Sequence, residues 1–452
     1  MSSRPIQKRP PLAVVILAAG HGTRMKSRRA KVLHEIAGRA MLAYPVALAE
    51  SLGPERLVIV IGRDGETVRA AFAERGVFVI QSEQRGTGHA VQTALPALAG
   101  FEGEVLILYA DCPLLRAESV ERLRALKAES KAPLALLTSP EPLPGLVVRG
   151  EGGRVERIVE QTDASPEELE IREGNTGVYL VDTDLLASAL GELDSANAQA
   201  ELYLTDVVAI ARARHLAVEA LRLDDANEAL GVNNRAELAR ATGVQHRRNV
   251  ERLLSLGVTV IDPSSVWIDS DVEVGRDSQI DPGVVITGAT RIGEGVHVKA
   301  HSVIESSVLE DDVVVGPSAH LRPGTRLRRG VRIGNFVEVK NSDLGPGAKA
   351  DHLAYIGDAD IGAGASFGCG AITVNYDWEN KHRTTVGEDA RVGCNVNLVA
   401  PVELAPGSFV AAGTTVTKAV PADAIAVSTG KQRNVEGWGK RKRARRKKRE
   451  ET

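Results

Sequence analysis

"ITGATRIGEGVHVKAHSVIE", residues 286–305, places an aliphatic residue at every sixth position: Ile286, Ile292, Val298 and Ile304. The series extends backward through Ile280 and Val274 to Ile268. After one five-residue step it continues through Leu309, Val315, Leu321, Leu327, Ile333 and Val339. It resumes at Leu344, again at Ile356, Ile361 and Phe367, and finally from Val386 to Val416. Small or β-branched residues often stand four positions after the aliphatic one. A period of six fits neither an α-helix nor a flat strand. It is the signature of a parallel β-helix, in which three hexads make one triangular coil with the aliphatic residue turned inward. The left-handed form is expected, and about eight coils stacked roughly 4.8 Å apart.

The period fails between Phe367 and Val386, where "NYDWENKHR" intervenes. An insertion in a repeat array projects as a loop, and such loops bind ligands. Ahead of the array, residues 235–256 are charged, with Leu238, Val250, Leu253 and Leu254 at helical spacing. They read as one connecting helix.

Residues 12 to about 230 follow a different grammar. Apolar runs at Ala13–Ala18, Leu57–Ile61, Val77–Ile80, Val105–Ala110 and Ala135–Thr138 read as strands. Thr67–Arg75, His89–Leu98 and Ala117–Glu129 read as helices between them. Continuous apolar strands separated by helices imply a mostly parallel, Rossmann-like α/β sheet covered on both faces. Ligands of such sheets sit outside the carboxyl ends of the strands.

Composition narrows the class. The 452 residues carry a net charge of only −3. Nine of the ten residues from Lys440 to Arg449 are nonetheless basic, so the rest is more acidic. The three cysteines form no CxxC pair and no disulfide framework. No signal peptide or membrane span is apparent, so a cytoplasmic protein is expected.

The first strand ends in "LAAGHGTRMKSRRAKVL", residues 17–33. It is not a dinucleotide fingerprint, because Met25 stands at the third glycine position, and no GK[ST] follows to make a Walker A loop. Its glycines still let backbone N–H groups close on an anion. Arg24 adds a fork for phosphate oxygens and Lys31 a mobile charge. "LILYADCPLL" (106–115) ends a buried strand on Asp111, a carboxylate placed for Mg²⁺, which takes one or two carboxylates plus phosphates. In the array, Arg322 and Lys340 are basic residues at repeat positions, suited to a sugar phosphate. His352 suits a general base for an amine that must lose a proton.

The motifs LAAGHGTRM, QSEQRGTGHA (81–90), NTGVY (175–179), GVNNR (231–235), HLAYIGD (352–358) and NYD (375–377) occur in order. Over residues 12–438 the chain resembles the bifunctional bacterial N-acetylglucosamine-1-phosphate uridylyltransferase / glucosamine-1-phosphate N-acetyltransferase family. The resemblance implies an α/β nucleotidyltransferase domain over residues 1–234, a linker helix over 235–256, an acetyltransferase β-helix over 257–438 and a disordered basic tail over 439–452. It implies Leu17, Ala18, Ala19 and Gly20 around uridine and phosphate, and Arg24 and Lys31 as catalytic contacts to the triphosphate. Gln81, Gln84, Gly86 and Thr87 would read uracil. Tyr109, Gly145, Glu160, Asn175 and Asn233 would surround the sugar, and Asp111 with Asn233 would hold Mg²⁺. In the array it implies Arg322, Lys340, Tyr355, Ser366 and Lys381 on glucosamine-1-phosphate, and His352 as base. Asn375, Tyr376, Cys394, Ala412 and Thr429 would meet acetyl-CoA. UTP and acetyl-CoA are then co-substrates and the assembly a homotrimer, with no nucleic-acid or membrane partner expected.

The chain departs from the family in places. Leu143-Pro144-Gly145-Leu146 replaces GYGR; Ser366 replaces an asparagine, Cys394 a serine or threonine, and Thr429 stands where an arginine is expected. Two other readings compete. One is a nucleotide-sugar pyrophosphorylase whose β-helix only oligomerises. The other is a polyanion-binding protein working through its basic tail by counterion release. That tail lacks interleaved aromatics, which favours a solvated segment.

Overall fold

Leu12–Ala18 is buried at every position, as a strand covered on both faces must be. The structure, a computed structural model, describes residues 9–63, 65–428, 430 and 435–450, with side chains as far as residue 444. Two compact units emerge: residues up to Glu251 together with Ile268–Asp271, and Arg252–Trp267 together with the residues from Val272.

In the first unit the main sheet runs in the order Val218–Arg222, Leu134–Ser139, Gly174–Asp182, Glu104–Tyr109, Leu12–Ala18, Arg56–Gly62 and Val77–Gln81. The pairings are parallel except those of Gly174–Asp182, which runs antiparallel to both neighbours. A hairpin, Gly145–Arg149 with Val155–Glu160, is attached to its start. One apolar cluster gathers Ala13, Val15, Val58, Val105 and Ile107, and a second gathers Val14, Ile16, Ile59, Leu106 and Leu108. Alternate residues of one strand thus feed opposite faces, so each face buries its own layer. The carboxyl ends of Leu12–Ala18, Val77–Gln81 and Glu104–Tyr109 lie on the same side, because their registers are parallel.

Arg235–Ser255 is a 21-residue helix. Asn234 caps it: its Oδ1 accepts from the Glu237 N–H at 2.9 Å, while Glu237 Oε2 reaches back to the Asn233 N–H at 2.6 Å. Ala241 and Val244 pack with Ile36, Met41, Leu114 and Val232, so most of this helix belongs with the first unit. Val250 and Leu253 are buried, but Leu254 is exposed.

The array forms three parallel sheets of ten, nine and eight strands. Hexad aliphatics such as Ile280, Ile286, Ile304 and Leu321 have no exposed surface. Burying each stabilises the fold by about 1.5–3 kcal/mol. The residues two positions before them are also buried, and where polar they bond the backbone: Ser278 Oγ donates to the Gly293 carbonyl at 2.9 Å and Thr325 Oγ1 to the Arg322 carbonyl at 2.7 Å. Coils repeat every 17 or 18 residues, as in Val298–Val315 and Ile280–Val298, whereas Ile361–Val386 takes 25. That surplus is the inserted loop. The array is longer than the hexads suggested. Thr259–Val260 and Ile425–Ala426 add rungs at its ends, and buried Ala350 and Thr373 fill positions that an aliphatic pattern skips.

The basic tail departs from expectation. Trp438–Glu450 is a helix rather than a disordered segment. After Gly439 it holds only Lys, Arg, Ala and Glu, all good helix formers. The Lys442 ammonium lies 4.7 Å from the Trp438 ring centroid, one turn away. Among the described residues no helix is long and apolar enough to cross a membrane.

Candidate functional sites

The turn Gly20–Arg24 and the carboxyl ends of three strands enclose a cavity of about 610 Å³. Leu17, Ala18, Ala19, Gly20, Arg24, Lys31, Gln81, Gln84, Gly86, Thr87, Tyr109, Asp111 and Asn233 all line it. Gln84 donates from its amide to the Ala19 carbonyl, fastening the two loops. Gln81 is buried and donates to the Gly86 carbonyl at 3.1 Å. The Leu204 N–H donates to Thr87 Oγ1 at 3.1 Å. Burial and the nearby Asp111 push the Tyr109 phenol well above its usual range, so it stays protonated as a donor.

Three groups converge on one point. Lys31 Nζ donates to Asp111 Oδ2 at 2.6 Å and to Asn233 Oδ1 at 2.8 Å. Its side chain is only 9% exposed. The Val232 N–H donates to the Asp111 carbonyl at 2.8 Å, and Glu237 holds the Asn233 N–H, so backbone bonds set both oxygens. A carboxylate oxygen and an amide oxygen around one cation are the hard donors Mg²⁺ selects. The ammonium stands in for that cation. The residues therefore fit a divalent ion that would complete its shell with water and phosphate.

Gly22 makes this approach possible. It has φ 62°, and a Cβ there would stand 2.5 Å from Lys31 Cβ. Gly22→Ala is expected to displace Lys31 and lower uridylyl transfer roughly 10²-fold, the scale of an ångström misplacement. Pyrophosphate release by the purified variant measures it; an unchanged rate would show that Lys31 needs no such approach.

Gly145, Glu160 and Asn175 do not line the cavity; they cluster beside it. Gly145 pairs with Glu160, and a Cβ at Gly145 would meet Asn175 Cβ at 3.3 Å. Asn175 Nδ2 donates to the Tyr179 hydroxyl at 2.7 Å. Burial, then Asp163, Asp206 and Glu201, raise the Glu160 carboxyl above its ordinary value. His21, Thr23 and Glu201 line the cavity without having been singled out. The first two sit inside the quoted turn, while Glu201 belongs to no motif.

On the array, Arg322, Lys340 and Tyr355 belong to successive strands of the nine-strand sheet or follow them directly. Arg322 Nη1 pairs with Glu338 Oε1 at 2.8 Å. The Lys381 ammonium lies close to Lys340, and that neighbouring charge, with burial and Arg322, lowers the Lys340 pKa. Burial pushes the Asp358 carboxyl up, but the Asn341 and Asn375 amides and the two lysines outweigh it and hold it low. Three cations crowd together here, and a phosphate dianion would relieve their repulsion. Asn375 also reaches the Tyr355 hydroxyl at 3.5 Å.

The inserted loop closes through a bridge between Tyr376 and Lys381. Asp377 staples it, accepting from the Asn380 and Glu379 N–H groups and from His382 Nε2 at 2.7 Å. Those bonds hold its carboxyl far below the usual range. Tyr376 is 50% exposed and Trp378 88% at its tip.

His352 ends its strand at the corner leading to Tyr355. Its Nδ1 lies 3.0 Å from Asn335 Oδ1. An amide oxygen only accepts, so Nδ1 carries the hydrogen, and in the neutral ring Nε2 keeps the lone pair. Asn335 is thus the orienting group. It stands one coil before His352, so stacking the hexads would have found it. Ser366 lies on the ten-strand sheet, whereas Arg322, Lys340 and Tyr355 lie on or beside the nine-strand one. Cys394 and Ala412 stack on adjacent coils: Val392 pairs with Val410, and the Gly413 N–H donates to the Cys394 carbonyl at 2.8 Å. Thr429 lies outside the described residues.

Comparison with known proteins agrees with both halves. A MobA-like NTP transferase domain model matches residues 14–203, and a bacterial transferase hexapeptide model (six repeats) matches residues 271–306. Bifunctional protein GlmU of Trichlorobacter lovleyi is 48% identical, the match covering 95% of this chain and 98% of the relative. The one from Syntrophotalea carbinolica is also 48% identical, over 95% and 97%. That of Exiguobacterium sp. is 45% identical, over 94% and 99%. At this identity and coverage of both chains, the protein belongs to the GlmU family of bifunctional proteins.

Proposed function

We infer that this chain makes UDP-N-acetylglucosamine in two steps: acetyl transfer from acetyl-CoA to glucosamine-1-phosphate, then uridylyl transfer from UTP to the acetylated sugar phosphate. The observation that adds the acetyl step to the uridylyl one is the basic cluster Arg322, Lys340 and Lys381 beside the coils that carry His352 and Tyr355. A β-helix that served only to oligomerise has no need of it.

In the first step the phosphate of glucosamine-1-phosphate sits on Arg322, Lys340 and Lys381. Nε2 of His352 takes the proton from the 2-amine as it attacks the thioester carbonyl, and the CoA thiolate leaves. Asn375 and Tyr376 border the acetyl-CoA, with Cys394 and Ala412 along its pantetheine arm. No covalent enzyme intermediate is needed. In the second step the turn Leu17–Gly20 holds UTP, and Gln81, Gln84, Gly86 and Thr87 read the uracil. Tyr109, Gly145, Glu160, Asn175 and Asn233 surround the sugar. The sugar phosphate attacks the α-phosphorus in line and pyrophosphate leaves. Arg24 and Lys31 neutralise charge as it spreads over the phosphates. Asp111 and Asn233 would hold Mg²⁺, which would supply further neutralisation and alignment. The substrates are those of the cytoplasm, where we place the protein.

Incubation with glucosamine-1-phosphate, acetyl-CoA, UTP and Mg²⁺ tests this reading. It predicts CoA release, pyrophosphate release and UDP-N-acetylglucosamine. A product formed only when the acetylated sugar phosphate is supplied, with no CoA released, would make the array passive.

We further propose a homotrimer, because a three-sided prism offers flat faces for packing around a threefold axis. Light scattering at micromolar concentration should give three times the chain mass; a fully active monomer would contradict it.

A further inference from the structure

The hexad stacking places side chains in columns at the corners of the prism. Ile333 pairs with Ala350, Ala350 with Phe367, Phe367 with Val392 and Val392 with Val410. The residues two positions after these form one column: Asn335, His352, Cys369, Cys394 and Ala412. Neighbours in such columns touch. Asn335 bonds His352 at 3.0 Å, and at another corner Arg276 pairs with Glu294 at 3.1 Å. The stacking holds through this turn, since the Asn395 N–H donates to the Cys369 carbonyl at 2.8 Å. Cys369 and Cys394, 25 residues apart in sequence, therefore stand one above the other. Their Cα atoms are separated by the strand spacing of about 4.8 Å, within the span a disulfide bridges. Both are exposed and free.

We propose that Cys369 and Cys394 are a dithiol site that reacts with low-molecular-weight disulfides and closes into a disulfide between adjacent coils, stopping acetyl transfer. The effect on transfer rests on the placement of Cys394 and Ala412 at the acetyl-CoA arm. The chemistry balances as follows. One cysteine thiolate attacks a sulfur of the small disulfide, whose S–S bond breaks and whose first thiolate leaves with the cysteine's proton. The second cysteine then attacks the protein sulfur of the mixed disulfide and expels the second small thiol. Two protein thiols are oxidised and one small disulfide is reduced to two thiols. The Cys394 sulfur is drawn toward Cys369 and away from the side facing Ala412.

Full-length protein treated with hydroxyethyl disulfide tests this. The expected product has lost two hydrogens, retains no adduct, and yields a Cys369–Cys394 cross-linked peptide by mass spectrometry. CoA release is lost, pyrophosphate release persists, and dithiothreitol restores the first. Cys369→Ser should acetylate like the wild type before treatment and afterwards keep a 2-hydroxyethylthio group on Cys394 as a mixed disulfide. Separate adducts on both wild-type cysteines, or no reaction, would overturn the site. A cross-link with undiminished CoA release would overturn its control of acetyl transfer. If untreated protein released no CoA, the acetyltransferase reading would fail while the cross-link still reported the dithiol.

Discussion

Asp111→Ala is expected to lower uridylyl transfer by roughly 10²- to 10³-fold, the usual weight of one electrostatic anchor at a phosphoryl transition state. Acetyl transfer should stay within about twofold, because the variant leaves every side chain of the array intact. Asp111 takes one end of the contact that seats Lys31, at 2.6 Å, and supplies the only carboxylate of the proposed Mg²⁺ pair. Its removal leaves a nearly buried ammonium with Asn233 alone. Asp111→Asn keeps the shape but not the charge, and should fall almost as far. Pyrophosphate and CoA release, measured on the same preparation, separate the two activities. Equal loss of both in a folded variant would contradict independent sites.

His352→Ala is expected to lower acetyl transfer by roughly 10²- to 10⁴-fold, the contribution of one general base. Uridylyl transfer should be unchanged. The ammonium form of a sugar amine has no lone pair to attack with, so something must take its proton. His352 is exposed, and its Nδ1 is occupied by Asn335, which leaves Nε2 for that task. Wild-type CoA release by this variant would make the histidine structural.

The array was legible because its inward positions repeat one chemical type. Where the inward residue is Ala350 or Thr373, the pattern goes silent, although the coil continues. In the α/β half five apolar strands were readable, four because they are covered on both faces and Val77–Gln81, an exposed edge strand, through its run of β-branched and aromatic residues. Gly174–Asp182 was not singled out, because it begins with polar residues and runs antiparallel. The turn and the Asp111 strand end announced the cavity through glycine and charge placement. The position of Gly145, Glu160 and Asn175 beside it depends on the hairpin and its pairing, which no local spacing records. Asn335 was hidden because its partner is 17 residues away, a distance meaningful only once the coils are stacked. The tail misled because charge was read as disorder, whereas lysine and arginine favour helix.

Mixing the two single variants tests the central claim, that one chain carries two separate sites joined by a released intermediate. Asp111→Ala and His352→Ala proteins are combined with glucosamine-1-phosphate, acetyl-CoA, UTP and Mg²⁺, and UDP-N-acetylglucosamine is measured. Neither variant alone should form product at an appreciable rate. The mixture should, because the first protein acetylates the sugar phosphate and the second uridylylates it. A mixture as inactive as either variant, although each retains its one half-reaction when assayed singly, would contradict the account.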